Sequence, residues 1–354
     1  MGNRGRTGIL RCGIRRRVRL PRFFPFPAAA DAPGRLPGWR FQRDGGGRTS
    51  IERAGDRAFR RIVLFFGLGV VALAGIIAWK LVAGSHLAIE KFGLSFLWTS
   101  TWDPVQEQFG ALPFIYGTIV SSAIALLLAI PLGVGSAVFL VELAPSRVSG
   151  AVSFMIELLA AVPSVIIGLM GIFLLVPAVR AVEPFLTARI GFLPLFRGEP
   201  YGVGMLTAGI ILAVMILPYI TSVSREVLLA VPRPLKEASL ALGATRWEMV
   251  RQVSLPCARS GIFAAILLAL GRALGETMAV TMVIGNTPNI SASLLDPAYS
   301  MAAVIANEFA EATGDVHLHA LIYIGLCLFA LGVVVNGAGR LIVYRFTIRE
   351  GAGR

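Results

Sequence analysis

The residues of this chain that could do chemistry are few, and two of the most telling sit where charge is costly. Near residue 270, in a run apolar enough to cross a bilayer, the sequence reads GRALGETMAVTMVIG from Gly271 to Gly285 and carries Arg272 and Glu276. If the span begins near Gly261, Arg272 is about 17 Å deep at 1.5 Å per residue, close to mid-bilayer. A charge at that depth costs on the order of 3 kcal/mol on insertion scales, so neither residue is expected to face lipid. Their i, i+4 spacing places them on one face of a helix, where they can neutralise each other. Gly271 and Gly275 have the GxxxG spacing that lets a neighbouring helix approach beside the pair. Two readings follow. The pair is a structural lock between helices, or it lines the path of an anion, with Arg272 as a multidentate cationic donor and Glu276 preventing binding too tight for release.

Other familiar chemistry is missing from the sequence. No GxxxxGK[ST] occurs with which to cradle ATP phosphates, so nucleotide hydrolysis is expected on another chain. Cys12, Cys257 and Cys327 are scattered without metal or disulfide spacing, and three histidines, His86, His317 and His319, make a multi-histidine metal site unexpected; no cofactor or metal is implied. Ser136, ending GVGS, resembles a nucleophile only superficially, because no histidine lies in the interior of a span to serve as its base.

The elements that position these residues are membrane helices. Hydrophobic residues make up 56% of the chain and charged residues 15%, with a mean hydropathy of +0.74, against about 45–50% and 25% in soluble domains. The chain is therefore expected to be an all-α integral membrane protein. Windows of about 20 apolar residues recur six times, near 62–83, 115–142, 149–178, 203–224, 259–285 and 318–344. Pro131, Pro163 and Pro218 fall inside them, as bundles tolerate. The net charge of +13 would suggest nucleic acid in a soluble protein, but sixteen arginines lie within residues 1–61. Residues 1–58 read as an Arg-rich disordered cytosolic tail that lacks both a packed pattern and the amphipathic helix of a transit peptide. Residues 59–111 read as the first transmembrane helix with an external connection, and residues 112–350 as a core of five more.

Basic residues orient the bundle. The tail, the stretch from Arg225 to Arg259, and Arg340, Arg345 and Arg349 fall on one side, whereas residues 286–317 contain no Lys or Arg. That places both termini in the cytosol, with Arg180, Arg189 and Arg197 as weaker witnesses in an outer loop. In that outer region SMAAVIANEFAEA, Ser300 to Ala312, sets Met301, Ile305 and Phe309 on one helical face and reads as a helix with a plain packing role, with a surface helix bordering the outer mouth as the alternative.

The longest cytosolic connection, VPRPLKEASLALGATRWEMVRQVSLP (231–256), reads as two short helices. Pro232 and Pro234 open the first, Gly243 ends it, and Thr245 with Glu248 has the spacing of a capping box that opens the second. Glu237, Ala238, Ser239, Gly243, Val253, Leu255 and Pro256 fit the spacing E-A-A, three residues, G, nine residues, I-x-L-P. This resembles the EAA loop of ABC importer permeases, with Ser239 and Val253 as conservative departures. WDPVQEQFGALPFIYGTIVSS (102–122), GRALGETMAVTMVIGN (271–286) and IANEFAEATGDVHLHALIYIGL (305–326) narrow the resemblance to PstC-type permeases of phosphate importers.

That resemblance implies a type I ABC importer permease (MetI-like) fold in the bacterial inner membrane, with both termini cytosolic. It further implies a heterodimer with a PstA-type permease, a dimer of PstB-type ATPases that the EAA loop docks into, a PstS-type phosphate-binding protein outside, and phosphate as the substrate. A permease for another oxyanion, or the PstA-type partner itself, is the nearest alternative. A secondary transporter or channel also accommodates six spans and buried charges, but neither needs the EAA spacing, and no inverted repeat is evident.

Overall fold

A computed structural model describes residues 50–351, with side chains described from Ala58 to Val343 apart from Ile190. The expected tail therefore lies outside the described residues, apart from its last few positions. The described chain falls into two compact units, one ending at Ile77 and the other running from Ala78.

The described residues are nearly all helical. Helix α1 (Ser50–Gly84) is followed by α2 (His86–Phe92), α3 (Leu112–Val138) and α4 (Ser146–Ala161). Next come α5 (Ser164–Met170), α6 (Val176–Ile190) and α7 (Met205–Leu229), then the short α8 (Arg233–Ala241) and α9 (Arg246–Met249). The chain finishes with α10 (Leu255–Gly275), α11 (Met278–Thr281), α12 (Met301–Glu308) and α13 (Asp315–Gly351). Six helical stretches are long and apolar enough to cross a membrane: Ala58–Gly84, Leu112–Leu143, Ser164–Arg189, Met205–Leu229, Arg246–Gly275 and Asp315–Val343.

Helix α7 is the axis of the second unit, because its small residues let neighbours close in. A Cβ on Gly209 would stand 2.5 Å from Ile124, and one on Gly133 would stand 2.8 Å from Ile220, so α3 and α7 run parallel with their backbones nearly in contact. Helix α10 runs antiparallel to both α7 and α13, since Gly261 is seated against Val227 and Gly339 against Leu267. A central core joins α3, α7, α10 and α11 around Ala125, Met205, Ile216, Ala273 and Ile284. A second core gathers Phe96, Phe109, Phe114, Tyr299 and Leu321, and a third Val138, Leu228, Val231, Met249 and Ile262.

Two sequence expectations need correction. The third span, placed at 149–178, is broken: Pro163 is not inside a helix but precedes α5, with Val162 and Pro163 both extended. The residue before a proline is driven out of the helical region, so Val162 had to leave it. The pieces still run antiparallel along α7, from Tyr219 hydroxyl to Ala160 carbonyl (3.4 Å) up to Val176 beside Gly202. The fifth span does not reach Gly285. Its helix stops at Gly275, and α11 then turns inward so that Ala279, Val280, Val283 and Ile284 are buried. Helix α12 has the packing role and is not a surface helix. Met301, Ala302, Ala303 and Val304 are buried, and the Met301 amide donates to Thr118 Oγ1 at 2.9 Å, while Phe309 is exposed. Pro131 and Pro218 do lie within α3 and α7 as expected.

Candidate functional site

Helix α10 carries Arg272 to the level of Tyr219, which stands 14 positions into α7, about 21 Å from its start. The guanidinium lies over the Tyr219 ring, 5.0 Å from its centroid, an arrangement that stabilises a partly desolvated cation by about 1 kcal/mol or more. Arg272 Nη2 is 3.7 Å from Glu276 Oε2, with the arginine side chain 35% exposed and the glutamate 8%. At that separation the two are an ion pair but not a hydrogen-bonded one. Glu276 is not on the α10 face at all: it is the first residue beyond the helix, with φ −71° and ψ 127°. Because Gly275 favours a helix end and the following residues turn into the core, the carboxylate swings back toward the guanidinium from outside the helix. The buried Nε of Arg272 has no hydrogen-bond partner among the described residues. The arginine thus keeps donor capacity free beside a counter-charge, which suits transient capture of an anion.

The expected helix approach at Gly271 and Gly275 is not what the glycines do. A Cβ on Gly271 would meet only Asn336 at 3.8 Å, and one on Gly275 would meet nothing within 4 Å. The open side at Gly275 leaves room beside the charged pair.

The 231–256 loop folds as its sequence required. Gly243 takes φ +90°, its amide donates to Leu240 carbonyl at 3.0 Å, and the Ala244 amide donates to Ser239 carbonyl at 3.3 Å. These two bonds form a Schellman motif that needs a left-handed residue at position 243, which rationalises the glycine of the EAA pattern. Thr245 and Glu248 form the capping box: Glu248 amide to Thr245 Oγ1 is 3.3 Å, and Thr245 amide to Glu248 Oε2 is 2.8 Å. Glu237 and Ala238 are exposed, and Leu242 and Trp247 beside them are 77% and 64% exposed. Leu255 packs on the core around Val138, Leu228 and Met249, Val253 is half-buried, and Pro256 is exposed in the first turn of α10.

Sequence reasoning missed the residues that fasten this loop to the bundle. Glu142 Oε1 accepts from Lys236 Nζ on α8 at 2.8 Å and from Ser254 Oγ, just before α10, at 2.9 Å. Glu142 and Ser254 lie in π-helical turns, Phe139–Leu143 and Val250–Ser254, whose extra residue re-aims side chains. A lone acid at the C-terminal end of the second span was the available signal. Tyr219 was missed as well, since nothing local distinguishes it from a packing tyrosine.

The histidines lie near the core around Phe96, Phe109 and Tyr299. His317 Nε2 and Trp102 Nε1 both meet Glu308 Oε2, at 3.1 and 2.9 Å, and His86 packs edge-on against His319. Burial pushes the Tyr299 hydroxyl up to about 12, so it stays neutral and accepts from Asn307 Nδ2 at 3.0 Å.

Residues 129–348 match the family described as binding-protein-dependent transport system inner membrane component. The chain is 45% identical over 324 residues to the phosphate transport system permease protein PstC of Mesorhizobium japonicum, covering 90% of this chain and 98% of that one. It is also 45% identical over 298 residues to the PstC protein of Pasteurella multocida, covering 83% and 93%. Among solved structures, a chain of a bacterial alginate ABC transporter crystallised with an alginate-bound periplasmic protein aligns with a TM-score of 0.55 at 18% identity, covering 82% of this chain and 97% of that one. This last likeness speaks to the fold alone.

Proposed function

The chain belongs to the binding-protein-dependent transport system inner membrane components, as a PstC-type permease, and on that premise we propose how it works: it is the multi-pass subunit through which an ATP-driven importer passes inorganic phosphate into the cell. The fold is the type I importer (MetI-like) fold. Phosphate is the substrate in the names of the relatives, and an arginine beside a carboxylate that leaves part of its donor capacity free is compatible with an anion.

The observation that carries the reading is the loop. A helix pair closed by a Schellman motif and a capping box, with Glu237, Leu242 and Trp247 outward and its base fastened to two spans through Glu142, is a rigid lever for a cytosolic partner. Closure of a PstB-type ATPase dimer, which supplies the hydrolysis, moves the loop around Glu237 and Gly243. The Glu142 carboxylate conveys that motion to α3 and α10 together, and α10 carries Arg272. A PstA-type permease completes the pathway on the open side of Arg272, and a PstS-type protein delivers phosphate outside. Both termini are cytosolic, as the basic residues of the tail and of the loop require.

Radiolabelled phosphate uptake by membranes holding the co-expressed complex tests the reading. Phosphate accumulation that requires ATP and all partners supports it. Uptake of sulfate or another oxyanion in place of phosphate overturns the substrate, and uptake without the ATPase overturns the coupling.

A further inference from the structure

Two cations of the second unit are held by different chemistry. Lys236 Nζ is held through its protons, donating to Glu142 Oε1 at 2.8 Å and to the Leu228 carbonyl at 3.4 Å. The contacts of Arg272 engage no proton. Its guanidinium carbon is 5.0 Å from the centroid of the Tyr219 ring, its Nη2 stops 3.7 Å from Glu276 Oε2, and its buried Nε has no partner among the described residues. An aromatic ring attracts the face of a guanidinium through its quadrupole, whereas the N–H groups of the fork point outward in the guanidinium plane. The contact with Tyr219 therefore offsets part of the desolvation of the cation and leaves its edge for an oxyanion to grip in two places. A counter-ion hydrogen-bonded to that edge would have to be displaced first, and the ring does not.

Tyr219 is itself fixed at both ends, as a residue that positions another must be. At its backbone, the next residue, Ile220, is fully buried against Gly133 of α3, where a Cβ would stand 2.8 Å away. At its tip, the hydroxyl is 3.4 Å from the Ala160 carbonyl near the end of α4. In an unbroken helix that carbonyl would accept from the Ser164 amide, but the extended Val162 and Pro163 carry Ser164 away and leave the carbonyl to a side chain. The ring thus stands between the break in the third span and the arginine of the fifth.

We propose that Tyr219 is the positioning residue of the anion path: its ring holds the Arg272 guanidinium by one face, beside the open side of α10 at Gly275, so that the edge of the fork meets phosphate. The proposal rests on the reading of the chain as a phosphate permease with Arg272 in the path. It adds the residue that keeps that arginine in place between one anion and the next.

The test keeps the shape of the ring and changes its electrons. In the full complex, Tyr219→Phe sets the reference, and trifluorophenylalanine and pentafluorophenylalanine are then inserted at the same position by codon suppression. Fluorine drains the negative face that attracts a cation, with little change in volume. Phosphate imported per ATP hydrolysed is expected to fall stepwise along the series, by about fivefold once the attraction is gone. Tyr219→Leu should fall as far as the most fluorinated ring. A packing role would respond to leucine and not to fluorine. An equal ratio for phenylalanine and its fluorinated forms overturns the proposal. So does a loss already complete in Tyr219→Phe, which would assign the effect to the hydroxyl at Ala160. The unmodified complex is assayed beside them: absence of ATP-driven phosphate import there overturns the permease reading, whereas import insensitive to ring electronics overturns the positioning role alone.

Discussion

Glu142 and Lys236 are joined by a 2.8 Å ion pair that is largely buried, the carboxylate 7% and the lysine 15% exposed. It joins the end of a membrane span to the first helix of the 231–256 loop, and Ser254 shares the same carboxylate oxygen. Breaking one side of such a pair leaves an uncompensated charge, at a cost on the order of 3 kcal/mol. Lys236→Met is therefore expected to lower phosphate imported per ATP hydrolysed by about tenfold or more. The double variant Glu142→Gln with Lys236→Met should recover part of that loss, because no lone charge remains. Measuring uptake and ATPase activity in parallel checks both, and a double variant no better than either single one refutes the coupling.

Gly243 is surrounded by open space, so its requirement is conformational only. At φ +90° a β-branched residue is strained by roughly 1–2 kcal/mol. Gly243→Val should weaken capture of the ATPase subunits while the permease still inserts, and Gly243→Asn, which tolerates left-handed backbone, should restore most of it. Co-purification of the ATPase at matched membrane levels is the measurement, and undiminished capture by the valine variant would remove the loop from the docking surface.

Arg272 combines a ring contact with Tyr219 and a long ion pair to Glu276. If it captures the anion, Arg272→Gln should abolish phosphate uptake while the complex assembles and hydrolyses ATP. Arg272→Lys keeps the charge but not the planar fork, so its uptake should be intermediate. Normal uptake by the glutamine variant would exclude a role in the path, and failure to assemble would identify a structural pair.

Near the start of α3, a Cβ on Gly117 would collide with the carbonyl oxygen of Tyr299, a backbone atom that cannot swing aside. Gly117→Ala is expected to push the 286–300 segment off α3 and to lower the melting temperature of the purified complex by several degrees, on the basis of about 1–3 kcal/mol for overpacking. A differential scanning measurement showing no shift would contradict the close approach.

Orientation is checked with single cysteines. Ala292 and Gln252 are exposed and lie in connections assigned to opposite sides. An impermeant maleimide applied outside intact cells should label Ala292→Cys and spare Gln252→Cys, and the reverse pattern would invert the topology.

The class of protein, its six spans and the form of the 231–256 loop were legible in the sequence because their causes are local. Hydropathy over about 20 residues decides membrane insertion. The loop's two helices end and begin through bonds spanning three to five residues, so Gly243, Thr245 and Glu248 could be read directly. The break at Pro163 was just as local in cause, but a continuous apolar run concealed it. What the sequence alone did not decide depends on partners far along the chain. Glu142 meets Lys236 and Ser254 across separations of 94 and 112 residues, and Arg272 finds Tyr219 only because α10 packs against α7. The same holds for Glu276, whose spacing promised a helical face. Burial of the residues that follow drew the chain out of the helix one position earlier, and only the packed bundle fixes where an apolar segment turns inward.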